Sequence, residues 1–237
     1  MAGGDVYFVS DVHIGAPTDP KGLSERRFVD FLEHLPEDAA ELYMLGDVFD
    51  FWVEYRHVVP RGAVRTLGAL AYLADRGVKL HFVCGNHDYW VTDYFEKELG
   101  AEIIREPYIV REIQGRKVCL GHGDGLGRRS LKERFIFKLF RSKVCIALLK
   151  ALPSSWIFSF AHAWSSFSRK RHHEYVFKEG EDPLYRFAQE FGSKNPVDLF
   201  VFGHLHARVA TTLPCGARLY VLGDWAVEAS SLNLLGM

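Results

Sequence analysis

The sequence predicts an α/β fold, a sandwich of sheets covered by helices, and three observations carry that expectation. Short apolar, strand-like runs alternate with helical periodicity early in the chain and become more frequent late. The hydrophobic share is 48% over 237 residues, enough to fill a sizeable core. Five of the apolar runs end in Asp, Asn or His, four of them directly after a glycine, at the strand ends where ligands gather in such folds.

The elements follow in order. Val6 to Val9 reads as a short buried strand. Phe28, Phe31, Leu32 and Leu35 stand at i, i+3, i+4 and i+7, one face of a helix with Ser24 as its expected N-cap. Glu41 to Leu45 is the second strand. A helix is expected from near Pro60, with Val64, Leu67, Leu70 and Ala71 inward and Gly77 at its end. Val78 to Cys84 is the third strand. Tyr108 to Ile113 and Lys117 to Leu120 flank Gln114-Gly115 and read as a hairpin. Asp182-Pro183 opens a helix that turns Leu184, Phe187, Ala188 and Phe191 inward and stops at Gly192. Val197 to Phe202 and Arg218 to Leu222 complete the strands.

Residues 125–180 break this pattern and carry no strand signal. They hold twelve basic residues and three acidic ones, a net of +9, so with −1 for the whole chain the remainder carries −10. A basic, apolar, helical insertion over the core is expected there, with residues 1–124 and 181–237 forming the core itself. The four cysteines have no paired spacing, and Cys84 and Cys119 lie in apolar runs, so buried thiols in a reducing, cytoplasmic compartment are expected. The first residues show no basic stretch followed by an apolar one, so no secretory signal is expected. The apolar run from Val144 to Leu149 stops at Lys150, well short of the roughly 20 residues a spanning helix needs.

The strand-end clusters are Asp11-Val12-His13, Gly46-Asp47-Val48-Phe49-Asp50, Gly85-Asn86-His87-Asp88, Gly121-His122-Gly123-Asp124 and Gly203-His204-Leu205-His206. The one-residue spacer lets Asp11 and His13 point the same way from the end of one strand, since side chains repeat every two residues, and His204 and His206 use the same geometry. Asp47 stands where a carboxylate can bridge two cations, Asn86 offers an amide oxygen and His122 an imidazole. Oxygen and imidazole donors without thiolate suit manganese, iron or zinc rather than calcium. Two such ions activate water and clamp the oxygens of a phosphate ester. Asp50, Asp88 and Asp124 read as orienting the histidines or as turn caps. His87 reads as an acid or charge stabiliser, or as a structural histidine bonded to Asp88 or a nearby loop. Each segment alone is weak; it is their order and shared context that is specific.

With these five segments the chain resembles the calcineurin-like metallophosphoesterases over nearly its whole length outside the insertion. That resemblance implies a four-layer αββα sandwich with an inserted helical lid. It implies one metal on Asp11, His13, Asp47 and His206 and another on Asp47, Asn86, His122 and His204, with Asp47 bridging. Within that family, Gly46-Asp47-Val48-Phe49-Asp50-Phe51-Trp52, Gly121-His122-Gly123-Asp124 and Leu222-Gly223-Asp224-Trp225 resemble the lipid A pathway hydrolases that split UDP-2,3-diacylglucosamine. The finer resemblance implies two Mn2+ ions and release of UMP and 2,3-diacylglucosamine 1-phosphate; Asp47 and His87 are the expected catalytic residues, His87 from its place within the motif. Some members carry Arg where His87 stands, and acidic residues where Arg128, Arg129 and Ser130 stand.

The insertion bears on the substrate independently of the resemblance. Phe135, Ile136, Leu139, Phe140, Val144, Leu148 and Leu149 make a broad apolar face among cations, followed by Trp156, Ile157, Phe158, Phe160 and Trp164. That composition suits acyl chains on a diphosphate, and docking on an anionic membrane surface. A self-packed helical hairpin is the plainer reading; it accounts for the apolar residues but not for the charge. Ser168, Arg169, Lys170 and Arg171 are the expected substrate contacts on the insertion, beside Asn86, His87 and His204 at the centre. A peripheral position on the cytoplasmic face of the inner membrane is expected, and no nucleic-acid partner, since no recognition fold or base-stacking surface is apparent. The rival functions are another phosphoesterase, such as a nucleotide pyrophosphatase or phosphodiesterase, and a non-catalytic scaffold of the same fold. Substrate panels separate the first, and metal analysis the second.

Overall fold

The computed structural model describes residues 4–55, 57–127, 139, 142–172, 176–226 and 229–234; the side chains of 143, 162, 164 and 166–172 stand outside that description. In chain order the elements are β1 (Asp5–Val9), α1 (Leu23–Glu33), β2 (Ala39–Met44), α2 (Val64–Asp75), β3 (Lys79–Val83), α3 (Tyr94–Leu99), β4 (Glu102–Ile104), β5 (Ile109–Ile113), β6 (Arg116–Leu120), α4 (Lys143–Ala151), α5 (Ser154–His172), α6 (Pro183–Gly192), β7 (Leu199–Phe202), β8 (Val209–Thr212), β9 (Arg218–Val221) and β10 (Ser231–Asn233). One sheet has the order β10-β1-β2-β3-β4, the other β5-β6-β7-β9-β8. In the first, β1 to β4 run parallel and β10 lies antiparallel to β1. In the second, β6, β7 and β9 are parallel at the centre, with β5 and β8 antiparallel at the edges.

Side-chain alternation along β1 shows how the layers arise. Tyr7 and Val9 face a core shared with Phe28 and Leu32 of α1, Leu70 and Leu73 of α2 and Phe95 of α3. Val6 and Phe8 face the other way, into a core built with Tyr43, Val118, Leu120, Leu199 and Val201, between the two sheets. Phe200, Phe202, Leu219 and Val221 leave the far side of the second sheet and meet Leu184 and Ala188 of α6. Helices, sheet, sheet and helix make the four expected layers.

Local chemistry sets most boundaries as read from the sequence. Gln114 and Gly115 both have positive φ, 50° and 74°, the pair a tight hairpin turn requires between β5 and β6. Asp182 caps α6, its carboxylate accepting from the backbone N–H of Leu184 at 2.7 Å, with Pro183 at the first helical position. Two expectations need correction. Ser24 does not cap α1: the helix begins at Leu23, and the Asp19 carboxylate accepts from the backbone N–H groups of Leu23 (2.9 Å) and Ser24 (2.8 Å). And α2 begins at Val64, not near Pro60, with Val64 itself 75% exposed. Its buried face is Thr66, Ala69, Leu70 and Leu73, a stripe that includes a polar residue because the Thr66 hydroxyl donates to Glu25 of α1 at 3.2 Å.

Between residues 125 and 180 the described residues form helices and no strand, as expected. The segments Val144–Ala151 and Ser154–Ala161 turn from one another by 116°. Ile157 and Ala161 of α5 pack on Phe51 and Val53, joined by Leu149, Phe158 and Trp90. Among the described residues no single helix is long and apolar enough to cross a membrane. Cys84 and Cys119 are buried free thiols.

Candidate metal centre

Six strands, β1, β2, β3, β6, β7 and β9, deliver the loops of the site from their C-terminal ends. The loops are sewn together across the two sheets. Asp11 and His13 donate their backbone N–H groups to the carbonyls of Gly46 (3.1 Å) and Asp47 (2.9 Å). His122 Nδ1 donates to the Leu45 carbonyl at 2.8 Å, and His204 donates its backbone N–H to Asp11 Oδ2 at 2.9 Å. Asp88 is fully buried and ties two loops, accepting from Gly85 N–H at 2.8 Å and Val48 N–H at 2.9 Å. It is therefore a turn cap, one of its two expected roles. Burial, then the neighbouring Asp47 carboxylate, pushes Asp88 up to about 7.

The convergence of Asp11 with His13, and of His204 with His206, has another cause than strand alternation. Their φ angles are 55°, 52°, 73° and 53°, and that of Asp47 is 53°. Five of the seven described non-glycine residues with positive φ are thus expected ligands. A left-handed residue of this kind costs on the order of 1–3 kcal/mol and persists where function requires it. Gly46 shares the positive φ, 87°, and has a second requirement: a Cβ there would lie 2.7 Å from His122 Nδ1 and from the Gly85 Cα. A Cβ on Gly85 would strike the Asp47 carboxylate.

Three clusters of ligand atoms result, each with all members within 4.8 Å of one another: Asp11, His13 and His206; His13, Asp47 and His87; and Asp47, His122 and His204. Hydrogen bonds at the far ring nitrogens set which nitrogen faces inward. His206 Nδ1 donates to Asp224 Oδ2 at 3.0 Å, so its Nε2 lone pair points at His13 Nε2, 3.1 Å away, and at Asp11 Oδ1, 3.4 Å away. Asp11 Oδ1 is buried and accepts no hydrogen bond. With His122 Nδ1 committed to a carbonyl, its Nε2 faces Asn86 Oδ1 at 3.2 Å and Asp47 Oδ2 at 3.3 Å. Ligand atoms packed this closely out of water repel unless protons or metal cations lie among them. The donor set therefore fits divalent metal, and Asp47 belongs to two of the three clusters.

The electrostatics of Asp11, Asp47, His13 and His204 agree, while, against burial, the neighbouring carboxylates favour a proton on His122 and His206. Burial opposes the charge on Asp11, but His13, then His206 and His122, outweigh it and hold the carboxyl at about 2. Asp47 is likewise held well below the carboxylate range, with His122 the strongest influence against burial. Burial pushes His13 down to about 4 and, with the neighbouring His122, His204 to about 3. Ionised carboxylates and neutral imidazoles are the forms that bind metal.

Every expected ligand, Asp11, His13, Asp47, Asn86, His122, His204 and His206, lies at this one locus. His87 lies there too. Its backbone N–H donates to Asp47 Oδ1 at 2.9 Å and its Nδ1 to the Asp50 carbonyl at 2.9 Å, and its ring centre is 4.9 Å from that of His13. The side chains of Ser168, Arg169, Lys170 and Arg171, on α5, lie outside the described residues, as do Arg128, Arg129 and Ser130. Asp224 and Ser10 were not expected at the centre. Ser10 Oγ donates to Asp11 Oδ2 at 2.5 Å. Asp224 follows Gly223 after a strand as Asp47 follows Gly46, a signal present in the sequence.

A calcineurin-like phosphoesterase family model matches residues 4–208. A UDP-2,3-diacylglucosamine hydrolase of Porphyromonas gingivalis is 39% identical over 238 residues, covering 93% of this chain and 90% of that protein. One from Haemophilus influenzae is 29% identical, over 95% of this chain and 92% of that protein. One from Pseudomonas fluorescens is 28% identical, over 97% and 91%.

Proposed function

This chain belongs to the calcineurin-like phosphoesterase family of metal-dependent phosphoester hydrolases, and from that premise we propose that it cleaves the diphosphate of UDP-2,3-diacylglucosamine to UMP and 2,3-diacylglucosamine 1-phosphate, in the lipid A pathway. The substrate rests on relatives of that name that align along nine-tenths or more of their length. The chemistry rests on one observation above the others: Asp47 is shared by two clusters of converging, buried ligand atoms.

Asp11, His13, Asp47 and His206 are assigned to one ion, and Asp47, Asn86, His122 and His204 to a second. Mn2+ is the proposed identity of both, in keeping with oxygen and imidazole donors and no thiolate. Bound there, two divalent ions supply charge against the phosphate oxygens and make water nucleophilic near neutral pH. The chain's own groups do the rest. Asp47 is locked by the His87 backbone N–H on one oxygen, leaving the other toward His122. His87, with Nδ1 committed to a carbonyl, is left with Nε2 to exchange a proton with, or hydrogen-bond, a phosphate oxygen.

Residues 125–180 are the proposed lid, with Ser168, Arg169, Lys170 and Arg171 toward the sugar or phosphate and the apolar residues toward the acyl chains. The same insertion is proposed to hold the protein on the anionic cytoplasmic face of the inner membrane. The exposure of Val144, Leu148, Trp156 and Phe160, from 58% to 69%, supports that reading.

The test is incubation of the pure protein with the diacylated nucleotide sugar and Mn2+, following UMP by chromatography. UMP release from that substrate and not from undecorated UDP-sugars is the expected result. Hydrolysis of simple phosphodiesters alone would move the assignment to another phosphoesterase, and absence of any hydrolysis in metal-loaded protein would remove it.

A further inference from the structure

We propose that Ser165, on α5, is a positioning residue for the metal centre, acting through Asp50. The proposal rests on the two-metal reading above and extends it to the insertion. Ser165 is buried, 1% exposed, and its hydroxyl donates to Asp50 Oδ1 at 2.7 Å across 115 residues of sequence. Asp50 is 3% exposed and stands behind two rings of the centre. The same Oδ1 lies 3.8 Å from His13 Nδ1 and 3.6 Å from His87 Nδ1, while the Asp50 carbonyl already holds His87 Nδ1. His13 Nδ1 is buried and makes no hydrogen bond of its own. Its nearby acceptor is the oxygen that Ser165 fixes.

A ligating histidine needs its far N–H oriented by a carboxylate or carbonyl, because that contact sets both tautomer and ring angle. Asp50 Oδ1, 3.8 Å from His13 Nδ1, stands just beyond hydrogen-bond length and takes this role once the ring or the carboxylate shifts by about half an ångström. Each group that holds a carboxylate oxygen restricts rotation about the Cβ–Cγ bond, and α5 supplies one such hold on Oδ1. The hydroxyl thus joins the helical insertion to the centre, and the joining runs both ways. Whatever orders Asp50 favours a bound ion at His13, and a bound ion at His13 favours docked α5.

The experiment titrates Mn2+ into the metal-free full-length chain by calorimetry. Wild type is expected to show two binding events. Ser165→Ala should weaken one of them, about three- to tenfold, a smaller loss than removing the direct partner of a ligating histidine causes. The other event should stay within about twofold, because His122 is oriented by the Leu45 carbonyl instead. A general loosening of the fold would weaken both events alike and would overturn the proposal, as would two unchanged events. Asp50→Asn combined with Ser165→Ala should lose no more than Asp50→Asn alone; additive losses count against it. Hydrogen exchange of the wild-type segment 154–172, with and without Mn2+, needs no variant. Slower exchange with metal is expected, and no change would refute the coupling. If wild type binds no ion at all, it is the two-metal reading that falls; intact wild-type binding with an indifferent Ser165→Ala removes this inference alone.

Discussion

At the scale of the residue, Asp47 concentrates the chemistry. Its backbone is left-handed, one carboxylate oxygen is taken by the His87 N–H, and the other faces His122. Asp47→Ala should cut turnover by roughly 10³-fold or more, the loss of several kcal/mol of charge stabilisation, with circular dichroism unchanged. Near-normal activity in that variant would contradict bridging. Gly85→Ala should act on the same carboxylate without touching its chemistry, since the new methyl meets Asp47. Weakened metal binding in a folded protein is the expected outcome, measured by equilibrium dialysis. A proton-linked measurement follows from His122. Burial opposes its charge, but Asp47 outweighs burial and holds the imidazole well above its ordinary value. An incoming ion competes with a proton at this ring. Affinity should therefore rise with pH, and calorimetry in buffers of different ionisation enthalpy should report proton release. The ligands themselves were legible in the sequence because each is a metal-binding residue type placed at a strand end. Asp224 carries the same signal after Gly223, though it was not expected at the centre, whereas Ser165 has none, because its role comes from a partner 115 residues away.

At the scale of the element, long periodic segments were legible and short or polar ones were not. The stripe of α1 and the Asp182-Pro183 start of α6 stand where periodicity and capping rules put them. The strands β4 and β10 have three residues each, too few for a pattern, and α3 is held by something no local rule sees. Its first turn donates to a buried acid from another loop, Glu54, which accepts from the N–H groups of Asp93 (2.9 Å) and Tyr94 (3.2 Å). The edges of the two sheets meet through a comparable pairing. Arg111 of β5 donates to both oxygens of Glu102 on β4, and His81 of β3 lies between Glu102 (2.7 Å) and Glu41 (2.9 Å). Arg111, against the opposing effect of burial and with help from His81, holds the Glu102 carboxyl down to about 2 from an ordinary 4.5. A depressed carboxyl adds stability that is present above its unfolded value and lost as pH falls through the folded one. The clasp should therefore act fully above about pH 4.5 and fade toward pH 2. Glu102 is partly exposed, so its worth is about 1 kcal/mol after screening. Arg111→Met should lower the melting temperature by about 2–4 °C at pH 7 and by clearly less at pH 3, followed by calorimetry. An equal loss at both pH values would remove the ion pair from the account.

At the scale of the whole molecule, charge and apolar exposure are divided unequally along the chain. Residues 125–180 carry +9 and the rest −10. The exposed apolar residues of α4 and α5 lie on the same insertion, while Ile157 and Ala161 anchor it to the core through Phe51 and Val53. Trp156 and Phe160 keep more than half of their surface exposed on that helix pair. If that surface meets a membrane as proposed, two forces act together, and each has its own signature. Attraction of the basic residues to anionic lipid is worth about 1 kcal/mol for each side chain near the surface, and it fades with salt. Burial of apolar area contributes about 2–3 kcal/mol for a fully buried tryptophan and does not fade with salt. Vesicles containing anionic phospholipid should therefore sediment the protein at low ionic strength, and neutral vesicles much less. Trp156→Ser with Phe160→Ser should lower the partition coefficient at least tenfold at every salt concentration, the mark of an apolar contribution. Their effect on hydrolysis of a short-chain, water-soluble substrate should be small, since both residues are exposed and the metal centre is assigned to other loops. Binding that is indifferent to lipid charge, or untouched by the double variant, would take the membrane away from this face and leave the insertion as a cover for substrate alone.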